Sequence, residues 1–226
     1  MFLNLLWYHF GKFFFRIVFY PLYGMRSFGK DNIPSEGPIL MLSNHQSFFD
    51  PIFCQVPLRR NLYCIARESL YTKNRFFGLL LKSVLTIPIR RGEADLAAMR
   101  KVMDKLREGW GVCLFPEGTR TYDGKVAEIK PGFGLLSRRT GAKVIPVILD
   151  GAFECWPRHK KLPSLGRVVV EYGEPIDAEK VKELGDREFA RFLTEKMRQM
   201  QSQLRKKLGK EPYDYEESNQ SDIKDS

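Results

Sequence analysis

Histidine is scarce in this chain, at three in 226 residues, and cysteine almost as scarce, at four. None of the four (Cys54, Cys64, Cys113, Cys155) belongs to a Cys-x-x-Cys pair, which removes the spacing of zinc fingers and dithiol redox centres. Three lie inside apolar runs, so they are expected as buried free thiols in a reducing compartment, with no metal site. A clean bilayer-spanning run is also missing. The most aromatic stretch, residues 1–28, is interrupted by His9, Lys12 and Arg16 and broken by Pro21 and Gly24. It has no small-residue cleavage site of the secretory-leader kind. No repeat and no linker divides the rest, so one domain with a real core is expected.

Acids are in deficit against bases, leaving a net charge of +10. The imbalance is uneven. From Gly209 onward six acids face two bases, a net of −4, so residues 1–208 carry +14. Such a body attracts nucleic acid, anionic lipid or phosphorylated metabolites. Its bases follow no known nucleic-acid recognition motif, so nucleic acid is not an expected partner.

Short apolar runs alternate with helical patterns. Strands are expected at 38–42, 61–66, 84–89, 111–115, 143–149 and 167–172. Helices are expected after residue 50 and over 76–82, 94–108 and 133–139, with a last one from Asp186 to Gly209. The fold class is α/β: a mixed, largely parallel sheet flanked by helices. Residues 29–208 make that domain and 209–226 a polar, acidic, disordered tail. Residues 1–28 read as a membrane-associated helical pair, with Phe13, Phe14 and Phe15 at the acyl boundary and Lys12, Arg16 and Arg26 on lipid phosphates. The same stretch would also serve as a helix packed on the core.

Polar clusters follow three of the strands: Asn44-His45 with Asp50, Arg90-Arg91, and Glu117-Gly118-Thr119-Arg120. In a parallel sheet such strand ends share one edge, where ligands bind. His45 and Asp50 are five apart, wrong for one helix face, so they meet only if the chain turns between them. A carboxylate on one imidazole nitrogen leaves the other free as a base. Asp50 before Pro51 equally fits a helix N-cap. The guanidiniums suit a phosphate.

Four motifs in order give these clusters a family likeness. Asn44-His45 is followed after four residues by Asp50, Ile87-Pro88-Ile89-Arg90-Arg91-Gly92 comes next, Phe115 to Arg120 reads Phe-Pro-Glu-Gly-Thr-Arg, and Val144-Ile145-Pro146-Val147 closes the set. Over about residues 33–175 the chain resembles the glycerolipid acyltransferase superfamily, most closely the 1-acylglycerol-3-phosphate O-acyltransferases. The resemblance implies acyl transfer from a thioester, acyl-CoA or acyl carrier protein, to the hydroxyl of a lysophospholipid acceptor, with no further cofactor. It implies His45 as base and Asp50 as its orienter. Asn44, Arg91, Glu117, Gly118, Thr119 and Arg120 would bind substrate, and no metal takes part. Other acceptors are a lyso-ornithine lipid, lyso-cardiolipin or glycerol-3-phosphate. A reading of another class is a non-catalytic membrane-surface binding protein. The expected place is a membrane surface with anionic lipids, on its cytoplasmic face, held in a monotopic or peripheral way.

Overall fold

The computed structural model describes residues 2–73, 78, 79, 81, 84–90 and 95–215. Along the chain come α1 (Phe2–Leu22), β1 (Arg26–Phe28), β2 (Ile39–Ser43), α2 (Asp50–Phe53), β3 (Leu62–Arg67), α3 (Glu68–Lys73) and β4 (Thr86–Ile89). Then follow α4 (Leu96–Arg107), β5 (Gly111–Leu114), α5 (Phe133–Thr140), β6 (Lys143–Asp150), α6 (Ala152–Cys155), β7 (Val169–Tyr172) and α7 (Ala178–Lys207). The helix expected over 76–82 lies largely outside the described residues.

The seven strands form one sheet in the order β1-β7-β6-β2-β5-β3-β4. Neighbouring strands are parallel except β6 and β7. The expected mixed, largely parallel sheet is therefore present, and β2, β6, β5, β3 and β4 all end on one edge. Strand periodicity divides the core in two. Leu40 and Leu42 of β2 face α4, α5 and α7, among Val102, Leu106, Leu136, Leu193 and Met197. Ile39 and Met41 face the other way, toward Phe19, Phe53 and Tyr172. β2 and β5 are buried on both sides, which is why they read as unbroken apolar runs. All four cysteines are free and buried.

Four differences from the sequence-based expectations have physical causes. The N-terminal pair is a single helix: Pro21 sits inside the last turn of α1 and does not divide it. Residues 26–28, placed with that pair, are the edge strand β1, paired in parallel with β7. The last helix starts at Ala178, not Asp186, and Gly185 interrupts it with φ 71° and ψ 177°, a conformation open to glycine. The tail begins later than residue 209. Lys210 and Arg205 (2.9 Å) both pair with buried Asp150, and the Tyr215 hydroxyl accepts from the backbone N–H of Val126 at 3.0 Å. Residues 216–226 lie outside the described part.

α1 has two unlike faces. Phe19 is buried against Phe49 and Phe53 with centroids 5.2 Å away in each case. Lys12 donates to the carbonyl of Arg60 at 2.9 Å and Arg16 to that of Val56 at 2.7 Å. These two cations hold the 56–60 loop and are not turned outward to lipid phosphates, as the sequence suggested. Burial and the charge of Arg16 bring the Lys12 amine down to about 8. The opposite face exposes Leu6, Trp7, Phe10, Phe13, Phe14 and Ile17. No described helix is long and apolar enough to cross a membrane.

Candidate active site

The site forms where β2 ends. After Ser43 the chain turns over 44–49, and the Phe49 amide is met by the Ser47 hydroxyl at 3.3 Å. The turn carries His45 back to Asp50, and the two lie 2.7 Å apart, Nδ1 to Oδ2. The same Oδ2 accepts the backbone N–H groups of Gln46 (2.6 Å) and Ser47 (2.7 Å). Asp50 therefore caps the turn before it, and no side-chain cap closes the N-terminus of α2. Asp50 is fully buried, whereas the His45 ring is 20% exposed. Burial raises the Asp50 carboxyl above its usual range, opposed by the His45 contact and the two amides. With Asp50 accepting the Nδ1 hydrogen, the lone pair of Nε2 is left for a substrate proton.

β5 is paired directly with β2, so residues 115–121 lie against this turn. The Phe115 ring stacks on His45 at 4.3 Å and 23°. Thr121 donates its N–H to the His45 carbonyl at 2.7 Å, and Glu117 accepts the His45 N–H at 3.4 Å. Glu117 is buried. Its carboxyl is pushed well up by burial, with Asp50 adding a like charge, while backbone amides of His45 and Ala127 pull it down. Gly118 adopts φ 75° and closes a turn onto the Phe115 carbonyl at 3.1 Å. Lys130 Nζ sits 3.2 Å from where a side chain on Gly118 would begin, and the positive φ is what calls for glycine there. Thr119 is exposed and accepts from Arg158 at 3.3 Å; Arg120 is half-buried.

Of the predicted residues the fold gathers His45, Asp50, Glu117, Gly118, Thr119 and Arg120. Asn44 is buried and gives both its amide atoms to Leu149 of β6, at 3.0 and 2.7 Å. It pins the turn to β6. Arg91 lies outside the described residues. Arg90 pairs with Glu68 of α3 at 2.8 Å, and β4 is separated from β5 by β3, roughly 10 Å away at ordinary strand spacing. Sequence reasoning missed Gln46, Lys130 and Arg158. Gln46 is buried and donates to the Gly124 carbonyl at 2.8 Å, and Gln201 of α7 donates to the same oxygen at 3.0 Å. A polar residue inside the first motif was a signal for Gln46; the other two are brought in by tertiary contacts alone.

Residues 25–150 match the family model described as Acyltransferase. The chain is 29% identical, over 73% of its length, to the chloroplastic 1-acyl-sn-glycerol-3-phosphate acyltransferase LPAT1 of Arabidopsis thaliana, and covers 47% of that protein. It is 25% identical to the 1-acyl-sn-glycerol-3-phosphate acyltransferase of Bacillus subtilis, over 82% of this chain and 90% of that one. The chain thus spans about half the length of the chloroplast relatives it matches. Among solved structures, the crystal structure of the 1-acyl-sn-glycerophosphate (LPA) acyltransferase PlsC from Thermotoga maritima superposes with a TM-score of 0.68. It shares 26% identity, over 80% of this chain and 72% of that one.

Proposed function

The chain belongs to the acyltransferase family, and on that premise we propose that it moves a fatty acyl group from a thioester to the sn-2 hydroxyl of 1-acylglycerol-3-phosphate, giving phosphatidic acid. The names of its relatives favour that acceptor. The observation that carries the chemistry is the 2.7 Å contact between His45 Nδ1 and Asp50 Oδ2 beside a partly exposed ring.

His45 Nε2 takes the proton of the acceptor hydroxyl as its oxygen attacks the thioester carbonyl. Buried Asp50 holds the ring and stabilises the imidazolium that forms. The tetrahedral adduct collapses, the C–S bond breaks, and the imidazolium returns its proton to the departing thiolate. Arg120, with Arg91 as the family pattern implies, holds the acceptor phosphate. Lys130, beside Gly118, adds positive charge to the same loop. The reaction needs the acyl thioester, acyl-CoA or acyl carrier protein, and no further cofactor. The exposed aromatic side of α1 enters the interface of an anionic membrane at the cytoplasmic face, and the acceptor comes from that membrane.

Lipid-product analysis tests this reading. Purified protein given lysophosphatidic acid with either acyl-CoA or acyl-loaded carrier protein is expected to release thiol and form phosphatidic acid. His45→Ala is expected to form none. Absence of acylated product from both donors across a panel of lysolipids and glycerol-3-phosphate overturns it.

A further inference from the structure

We propose that the loop from Trp156 to Arg167 is a second lipid contact, seated on a bilayer that carries anionic phospholipids. Its twelve residues include Arg158, His159, Lys160, Lys161 and Arg167 and no acid. Two leucines close together stand almost free of the protein, Leu162 at 78% and Leu165 at 72% exposure. Scattered exposed leucines are ordinary, but a pair set among cations on one loop matches an interfacial element.

The loop is built to hold that shape. Lys160 donates its N–H to the Pro157 carbonyl at 3.2 Å, Trp156 Nε1 donates to the Lys160 carbonyl at 3.1 Å, and Ser164 donates its N–H to the Cys155 carbonyl at 2.7 Å. These ties fix both sides of the tip and leave residues 161–163 projecting. Arg158 turns toward the 119–122 loop, over the Tyr122 ring at 4.2 Å and onto Thr119. His159, Lys160, Lys161 and Arg167 are exposed.

The contacts also say what covers the loop. Trp156 packs on Phe49 at 4.6 Å, and Phe49 packs on Phe19 of α1. Arg167 Cγ lies 3.4 Å from where a Gly24 side chain would begin, just beyond exposed Leu22 at the end of α1. The base of the loop is therefore packed on the buried face of α1, and its cationic side stands beside the end of that helix, where Leu22 is exposed. Two exposed leucines among four exposed basic side chains, with no acid in the loop, match a surface that is anionic outside and apolar beneath, which favours a bilayer over an acidic acyl carrier protein as the occupant. The loop springs from α6, where the Phe153 N–H meets Gln46 at 3.3 Å, so its base is anchored beside the turn that bears His45. The proposal rests on the reading of α1 as the interfacial helix, and its test separates the two.

The full chain, with an environment-sensitive dye on Leu162→Cys or separately on Phe13→Cys, is mixed with phosphatidylcholine–phosphatidylglycerol vesicles that carry brominated acyl chains. The native thiols are buried, so labelling goes to the introduced one. Quenching at both positions is expected. Lys160→Glu with Lys161→Glu is expected to weaken binding to the anionic vesicles by about tenfold or more, and binding to pure phosphatidylcholine much less. Quenching at 13 but not at 162 overturns the proposal and leaves the α1 reading standing. Quenching at neither overturns both. Dye response at 162 to acyl carrier protein alone, without lipid quenching, makes the loop a carrier dock and also overturns it.

Discussion

The Phe115 ring lies flat over His45, 4.3 Å between centroids. One side of the imidazole is thereby covered by apolar surface, and rotation about its Cβ is limited to the plane that Asp50 already selects. Phe115→Leu keeps the apolar volume and removes the planar cover. The expected outcome is a turnover number down by about tenfold, the effect of a misaligned base, with KM for both substrates nearly unchanged. Steady-state kinetics on the variant checks it.

Asp50→Asn separates charge from geometry. An amide oxygen in place of Oδ2 still accepts from His45, Gln46 and Ser47, so the turn persists. The negative charge that favours the imidazolium is gone. Turnover should fall by roughly 10²–10⁴, while the melting temperature holds or rises, because a buried carboxyl no longer has to ionise. If activity loss instead follows a lower melting temperature, Asp50 serves the turn alone.

Glu117 gives stability a pH dependence of definite sign. Its folded-state pKa is raised well above 4.5, chiefly by burial. Protonated Glu117 therefore favours the fold. That contribution is whole below pH 4.5 and is lost as pH rises through the raised value. Asp50, also raised, adds in the same direction. Thermal melts between pH 4 and pH 8 should show wild type losing stability with rising pH more steeply than Glu117→Gln. Equal slopes would place Glu117 in a solvated setting.

Arg120→Ala should raise KM for lysophosphatidic acid by about tenfold or more, against a small change for the thioester, since a paired hydrogen bond to phosphate is lost. Arg120→Lys should restore part of that, because an ammonium lacks the fork. Equal effects on both substrates would assign Arg120 to the fold or the donor.

Much of this molecule is legible in the sequence where local pattern and tertiary environment agree. β2, β5 and β6 read as strands because neutral apolar runs suit positions covered on both sides. α4 shows because one face meets the core, with Ala98, Val102 and Leu106 buried, and Asp95 caps it at Ala98. His45 and Asp50 were visible as a pair because only a turn can bring residues five apart together. What stayed hidden depends on distant partners. β1 has three residues and is a strand only because β7 lies beside it, over 140 residues away. Lys12 and Arg16 read as lipid ligands by their neighbours, yet their acceptors are carbonyls 48 and 40 residues on. The partner of Asn44 stayed hidden because nothing near it in sequence announces Leu149. Asp150 met no base nearby; its partners come 55 and 60 residues later.

The Gly124 carbonyl, held by Gln46 from 78 residues before and by Gln201 from 77 residues after, has a consequence in time. Synthesis delivers α1, with its exposed aromatic side, well before Gln201, which comes only after the residues it holds. A nascent chain thus offers a surface that can meet lipid well before the loop bearing Glu117 and Arg120 has its ties to Gln201 and Tyr215. Long-range closure of this kind is slow relative to helix formation. Limited proteolysis of ribosome-bound chains halted near residue 195 should find residues 119–127 open to cleavage, and protected once α7 and Tyr215 are in place. Protection already present in the shorter chains would mean that Gln46 alone sets the loop.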